Sequence, residues 1–179
     1  MVSDPNVNNA LEQNGKEKMD DIDFEYMIDC FKEELQEIGF VDPEIQYSIS
    51  FSQGDGLSFT SDYINIEKIL NTLIMIDYKH IPYFSFKDYY HRFMAIEKLR
   101  QYNIVDFEID IRRDCYTRYS HELTCYCELY VDSWNDSEKF NEYIINTCNE
   151  LISIIEQYRI ELCCKYKRIL ENILLNEKR

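Results

Sequence analysis

Two short stretches carry side chains suited to acid–base work. Ser52-Gln53-Gly54-Asp55-Gly56 sets an amide and a carboxylate among two of the chain's four glycines. Further along, Tyr119-Ser120-His121-Glu122 sets an imidazole beside a carboxylate. If the two turns meet, Asp55 and His121 would form an acid–base pair, and the chain would be a small enzyme. The competing reading is structural, with Gln53, Asp55 and His121 hydrogen-bonding one turn to the other. The structural reading is preferred, because neither a nucleophile nor a metal set completes the site. Asp55 is not in an EF-hand loop, since the later ligand positions are missing.

A second feature is a row of acids at alternate positions, Asp106, Glu108, Asp110 and Asp114. On a strand, alternate residues share one face and stand about 6.6–6.8 Å apart. That is close to two steps of the ~3.4 Å per-strand rise of DNA. Such a row would suit a basic groove that normally holds nucleic acid. The plainer reading is a wet strand face paired by Arg112 and Arg113. Seven cysteines are present. Cys125-Tyr126-Cys127 and Cys163-Cys164 lack the spacing that a zinc knuckle favours, and Cys127, Cys148 and Cys163 fall on apolar stripes. They are read as buried, inert thiols, and neither metal nor cofactor is expected.

The elements that must position these residues follow from periodicity. Tyr47, Ile49 and Phe51 alternate with Gln46, Ser48, Ser50 and Ser52, and Leu57 and Phe59 resume the pattern. This predicts a hairpin around the glycines, with Tyr47, Ile49 and Phe51 facing inward. Val105, Phe107, Ile109, Ile111 and Cys115 alternate with the acids, and Leu123, Cys125, Cys127, Leu129 and Val131 alternate with Thr124, Tyr126, Glu128 and Tyr130. A second hairpin is predicted, one face on helices and one in water. On that basis Glu108 and Asp110 point to solvent.

Helical spacing marks 21–40, where Phe24, Met27, Ile28, Phe31, Leu35 and Ile38 recur before Gly39 and Asp42-Pro43. It also marks 65–77, through Ile66, Ile69, Leu70, Leu73 and Ile74, and 86–102, through an aromatic stripe of Phe86, Tyr89, Tyr90, Phe93, Met94 and Leu99. A connector containing Pro82 separates these two. A final helix starts at an Asp136 or Ser137 cap and carries apolar residues from Ile144 to Leu174 without Gly or Pro. A break near 156–159 is weighed but not located by pattern. Little sequence remains to cover Leu162, Tyr166, Ile169, Leu170 and Ile173, so a two-fold homodimer through this helix is expected. The bases Lys165, Lys167 and Arg168 would then pair with a neighbour's acidic N-terminal segment.

Ser52-Gln53-Gly54-Asp55-Gly56 with Ser58-Phe59 resembles the SQGDG-x-S-F pattern of small, uncharacterised phage-encoded proteins. Tyr119-Ser120-His121-Glu122 is similar to a turn of the same group. Tyr158-Arg159, Leu162, Tyr166 and Leu170-Glu171 resemble its C-terminal helix. The likeness spans 47–171, and the acidic N-terminal segment departs from it. It implies a phage or mobile-element origin and an α+β fold, and it implies no activity.

The chain of 179 residues suits one domain with a sizeable core. Its net charge is −15, which excludes a generic non-specific nucleic-acid binder. Residues 1–42 hold twelve acids against three lysines, while 159–179 is net basic. Residues 1–20 are read as a disordered acidic segment, and 21–179 as a single domain. No apolar run reaches the roughly 20 residues that cross a bilayer. The start lacks a secretory signal pattern, and an odd cysteine count fits the host cytosol. The reading is an α+β fold: an antiparallel sheet of two β-hairpins packed by helices, with a long C-terminal helix. The expected function is non-catalytic, the binding and inhibition of a host nucleic-acid-handling defence complex of CRISPR-effector type. The partner is a host protein or ribonucleoprotein with a basic groove, met by Asp106, Glu108, Asp110 and Asp114. The alternatives are an enzyme using Asp55 and His121, or a dimerising structural accessory built on the long helix.

Overall fold

A computed structural model describes residues 24–49, 55–76, 86–114, 120–133 and 135–177. Its architecture is α+β, with small antiparallel sheets and a long C-terminal helix. Helix α1 covers residues 24–38. Its apolar face puts Phe31, Leu35 and Ile38 in the core. Gly39 ends it at φ 126°, and the Gly39 N–H donates to the Leu35 carbonyl at 3.1 Å. A Cβ on Gly39 would lie 2.7 Å from the Asn65 carbonyl oxygen, so this glycine is required twice, by conformation and by space.

The first hairpin is longer than its alternation suggests. Strands β1 (Phe40–Val41) and β2 (Glu44–Ser48) run antiparallel to β4 (Tyr63–Ile64) and β3 (Gly56–Thr60). Phe40 faces Ile64 and Glu44 faces Thr60, so one register runs through both pairs. That register sets Pro43 against Ser61. Proline has no N–H to give the ladder. Ser61 instead exchanges both backbone bonds with Ile111, at 3.2 and 2.8 Å, and joins the first hairpin to the second. Its hydroxyl donates to the Val41 carbonyl at 2.7 Å.

The second hairpin pairs β5 (Val105–Arg113) with β6 (Cys125–Ser133). Val105, Phe107, Ile109, Ile111 and Cys125 are buried, as the alternation predicts. The prediction fails at the start of the return segment. Leu123 is 69% exposed and Thr124 is buried, because 121–124 forms a tight turn and strand geometry begins only at Cys125. Tyr47 is also exposed rather than inward, lying at the margin of the sheet against Phe24, 6.0 Å between ring centroids.

Helix α2 (Ile66–Met75) is capped by Asn65, whose side chain accepts from the Lys68 N–H at 3.1 Å. Helix α3 (Phe86–Gln101) packs Phe93 and Ile96 inward, with Phe93 edge-on to Phe107. Helix α4 (Glu138–Glu177) starts at Ser137, whose hydroxyl accepts from the Phe140 N–H, and continues unbroken through 156–159. Its 40 residues span about 60 Å. It lies along β3 and β6 and buries Ile144, Cys148, Leu151, Ile155, Leu162 and Leu170. Of the stripe expected to meet a second copy, Leu162, Tyr166 and Leu170 are buried within the chain, and Ile169 and Ile173 are half-buried. Tyr166 is fully buried and stacks on Phe31 of α1 at 4.2 Å, and Lys165 pairs with Glu34 of α1 at 2.6 Å. Residues 1–20, the connector around Pro82, Phe51 and Cys115 lie outside the described residues. No helix among the described residues is long and apolar enough to cross a membrane.

Candidate functional site

The two turns do meet, through backbone. A Cβ on Gly56 would stand 2.6 Å from both the Ser120 carbonyl oxygen and the His121 Cα. Gly56 is therefore the contact that lets one turn rest on the other. Asp55 beside it is buried and engaged, and its carbonyl accepts from Lys167 Nζ of α4 at 2.9 Å. Ser52, Gln53 and Gly54 lie outside the described residues.

His121 is held by its own turn. Its N–H donates to Thr124 Oγ1 at 3.2 Å, and its carbonyl accepts from that hydroxyl at 2.7 Å and from the Thr124 N–H at 2.9 Å. The ring Nδ1 accepts from the Leu123 N–H at 3.3 Å. Glu122 Oε2 is also 3.3 Å from Nδ1, a contact that becomes an ion pair only when the ring is protonated.

Sequence reasoning missed the group that anchors this turn. Arg159 lies mid-helix on the apolar face of α4 and is completely buried. Its Nη2 donates to the Glu122 carbonyl at 2.8 Å, the Cys125 carbonyl at 2.7 Å and Glu156 Oε1 at 2.6 Å. Its Nε donates to Glu156 Oε2 at 3.0 Å. Glu156 Oε2 also accepts from the Cys127 N–H at 3.1 Å. Burial pushes the Glu156 carboxyl up, but the bond and charge of Arg159 outweigh it and hold the group below the usual carboxylate range. A base breaking an apolar stripe beside an acid three residues earlier was the available signal.

The thiols near this anchor are not activated. Burial pushes Cys163 up to about 12 and Cys148 up to about 11, and raises Cys127 further. The thiolate is the nucleophilic form, so thiols pushed up in this way react poorly near neutral pH. No group of three or more His, Cys, Asp or Glu side chains suits a metal ion among the described residues.

A family model described as a domain of unknown function, DUF8835, matches residues 24–172. The chain belongs to that family. No curated protein and no solved structure matches it. The DUF8835 span takes in both turns, the Arg159 anchor and all of the second hairpin.

The outer face of that hairpin is the other candidate. Register sets Asp106 against Asp132, Glu108 against Tyr130, Asp110 against Glu128 and Arg112 against Tyr126. The acidic row therefore has a second side on β6, with Glu128 and Asp132, which sequence reasoning left out of the site. Asp106 is 3.5 Å from Arg100 Nε. Arg112 bridges the strands, with Nη2 at 2.8 Å from Asp110 Oδ2 and Nε at 2.8 Å from Glu128 Oε2. The Glu108 and Asp132 side chains make no ion pair among the described residues. Two expectations need correction. The Asp110 side chain is only 19% exposed, because Arg112 folds over it. Asp114 stands past the end of β5, half-buried, with its N–H on the Thr124 carbonyl at 2.9 Å, so it closes the hairpin rather than extending the exposed row.

Proposed function

We propose that this protein acts by binding, not catalysis, and that the outer face of β5–β6 docks into a basic groove of a host nucleic-acid-handling complex. The observation that carries the reading is the register of five carboxylates, Asp106, Glu108, Asp110, Glu128 and Asp132, on one sheet face. Arg112 is the one base within that face among the described residues, and it neutralises only the Asp110–Glu128 end. At the other end Asp106 meets Arg100, while Glu108 on β5 and Asp132 on β6 carry no ion pair among the described residues. A net charge of −15 adds long-range attraction to a cationic partner. Asp55 and His121 are assigned structural roles: the Asp55 carbonyl accepts from Lys167 of α4, and His121 bonds within its own turn, which rests on Gly56.

The class of partner, a phage target such as a CRISPR effector, rests on the likeness around Ser52–Phe59. The test is a competition titration of purified partner, labelled nucleic acid and this protein. Mutual exclusion supports the reading, and simultaneous binding removes it.

A further inference from the structure

The outer face of β5–β6 is more than a set of charges. Tyr130 is 60% exposed and Tyr126 is 45% exposed, both on the water side of the strand. Large aromatic rings on a wet sheet face gain nothing from solvent and are a frequent signature of protein contact. The face also carries an occupied example of what it recognises. Arg112, set against Tyr126 in the register, lays its guanidinium between a β5 acid and a β6 acid. Four residues back along β5, past the Asp110–Glu128 pair, Glu108 is set against Tyr130, with Asp106 and Asp132 as the next pair. This second position repeats the tyrosine and the flanking acids and has no strand arginine of its own. Between the two positions lies a cleft of about 220 Å³ lined by Glu108, Asp110, Arg112, Glu128, Leu129 and Tyr130. One carboxylate oxygen among its lining residues, Asp110 Oδ1, is buried from solvent and makes no hydrogen bond.

We infer that the β5–β6 face reads arginine, accepting an arginine side chain of a partner protein at the Glu108–Tyr130 position beside Arg112. The inference rests on the docking reading above and adds the chemistry of the contact. A guanidinium is planar, so it can fork to Glu108 while stacking on the Tyr130 ring. An ammonium is a strongly hydrated point charge and gains mainly the Coulomb part. Charge alone therefore draws either base, and the tyrosine and cleft select between them.

The experiment uses the full chain with fluorescein-labelled octa-arginine and octa-lysine peptides, followed by anisotropy at physiological ionic strength. The expected result is tighter binding of octa-arginine by roughly fivefold to tenfold, the scale of stacking added to equal charge. Tyr130→Ala should bring the two peptides to near parity, mainly by weakening octa-arginine, and Tyr130→Phe should restore the difference because the ring face remains. Glu108→Gln should weaken octa-arginine more than octa-lysine. Thermal melting checks that these exposed substitutions leave the fold unchanged. Equal affinities for the two peptides, or a preference that survives Tyr130→Ala, overturns the inference. Salt-sensitive binding with equal affinities leaves the basic-groove reading standing without arginine selection. A persistent arginine preference, with no competition against the partner's nucleic acid, removes the groove reading alone.

Discussion

Arg159 Nη2 lies 2.7 Å from the Cys125 carbonyl oxygen, so a buried cation of α4 fixes the residue at which β6 begins. The same nitrogen holds the Glu122 carbonyl in the preceding turn. Arg159→Ala removes the guanidinium from the Cys125 and Glu122 carbonyls and from Glu156, whose carboxylate keeps only the Cys127 N–H. Breaking a buried pair by removing one partner costs about 3–5 kcal/mol. Urea unfolding should show a loss of that size. A double-mutant cycle with Glu156→Gln should show strong coupling, and additive losses would mean the two side chains do not act as a unit.

Glu156 also sets a pH dependence. Its carboxyl is held below the ordinary value of 4.5, so the folded state binds that proton less readily than the unfolded chain. The stabilisation is present in full above about 4.5 and fades as pH falls through the lower folded value. Glu156→Gln removes this contribution. The difference in unfolding midpoint between native chain and variant should be constant near neutrality and shrink on acidification below 4.5. A difference that stays flat to low pH would place Arg159's stabilising contact elsewhere.

Periodicity made much of the fold legible. The alternation from Val105 to Ile111 buries as expected, and the stripe from Ile144 to Leu170 does become a core seam. What could not be read is what covers what. Nothing local in Tyr166 says that Phe31, far away in the chain, will stack on it, so the C-terminal stripe looked open. Turn geometry was similarly opaque at Leu123 and Thr124, where the Thr124 hydroxyl bonds back to His121 and reverses the expected facing. Of the candidate site, the β5 acids were legible by parity alone. Their β6 counterparts needed the register, which depends on where Arg159 starts the return strand.

Gly56 tests whether the joined turns are structural. Any Cβ there meets backbone atoms of Ser120 and His121 at 2.6 Å, and backbone cannot swing aside as a side chain can. Gly56→Ala should cost roughly 1–3 kcal/mol, the usual scale for overpacking. Asp55→Ala should cost a similar amount, about 1–3 kcal/mol, through lost buried hydrogen bonding. Thermal melting of both variants checks this. An Asp55→Ala chain that melts normally yet loses its biological activity would return Asp55 and His121 to the acid–base reading.

The acidic face calls for a charge reversal that spares the fold. Asp110 is a poor choice, since a lysine there would sit against Arg112 in a mostly covered position. Glu108 and Asp132 carry no ion pair among the described residues and flank Tyr130. Glu108→Lys with Asp132→Lys moves the local charge by four units without removing an internal bond. The double variant should keep its melting temperature and lose partner binding. Binding of the native chain should weaken as salt rises, because exposed charges are screened over about 8 Å at physiological ionic strength. The association rate should fall more than the dissociation rate rises, since steering acts before contact. Stopped-flow measurements across a salt series separate the two rates. If the reversed variant still competes with the partner's nucleic acid, the β5–β6 face is not the docking surface.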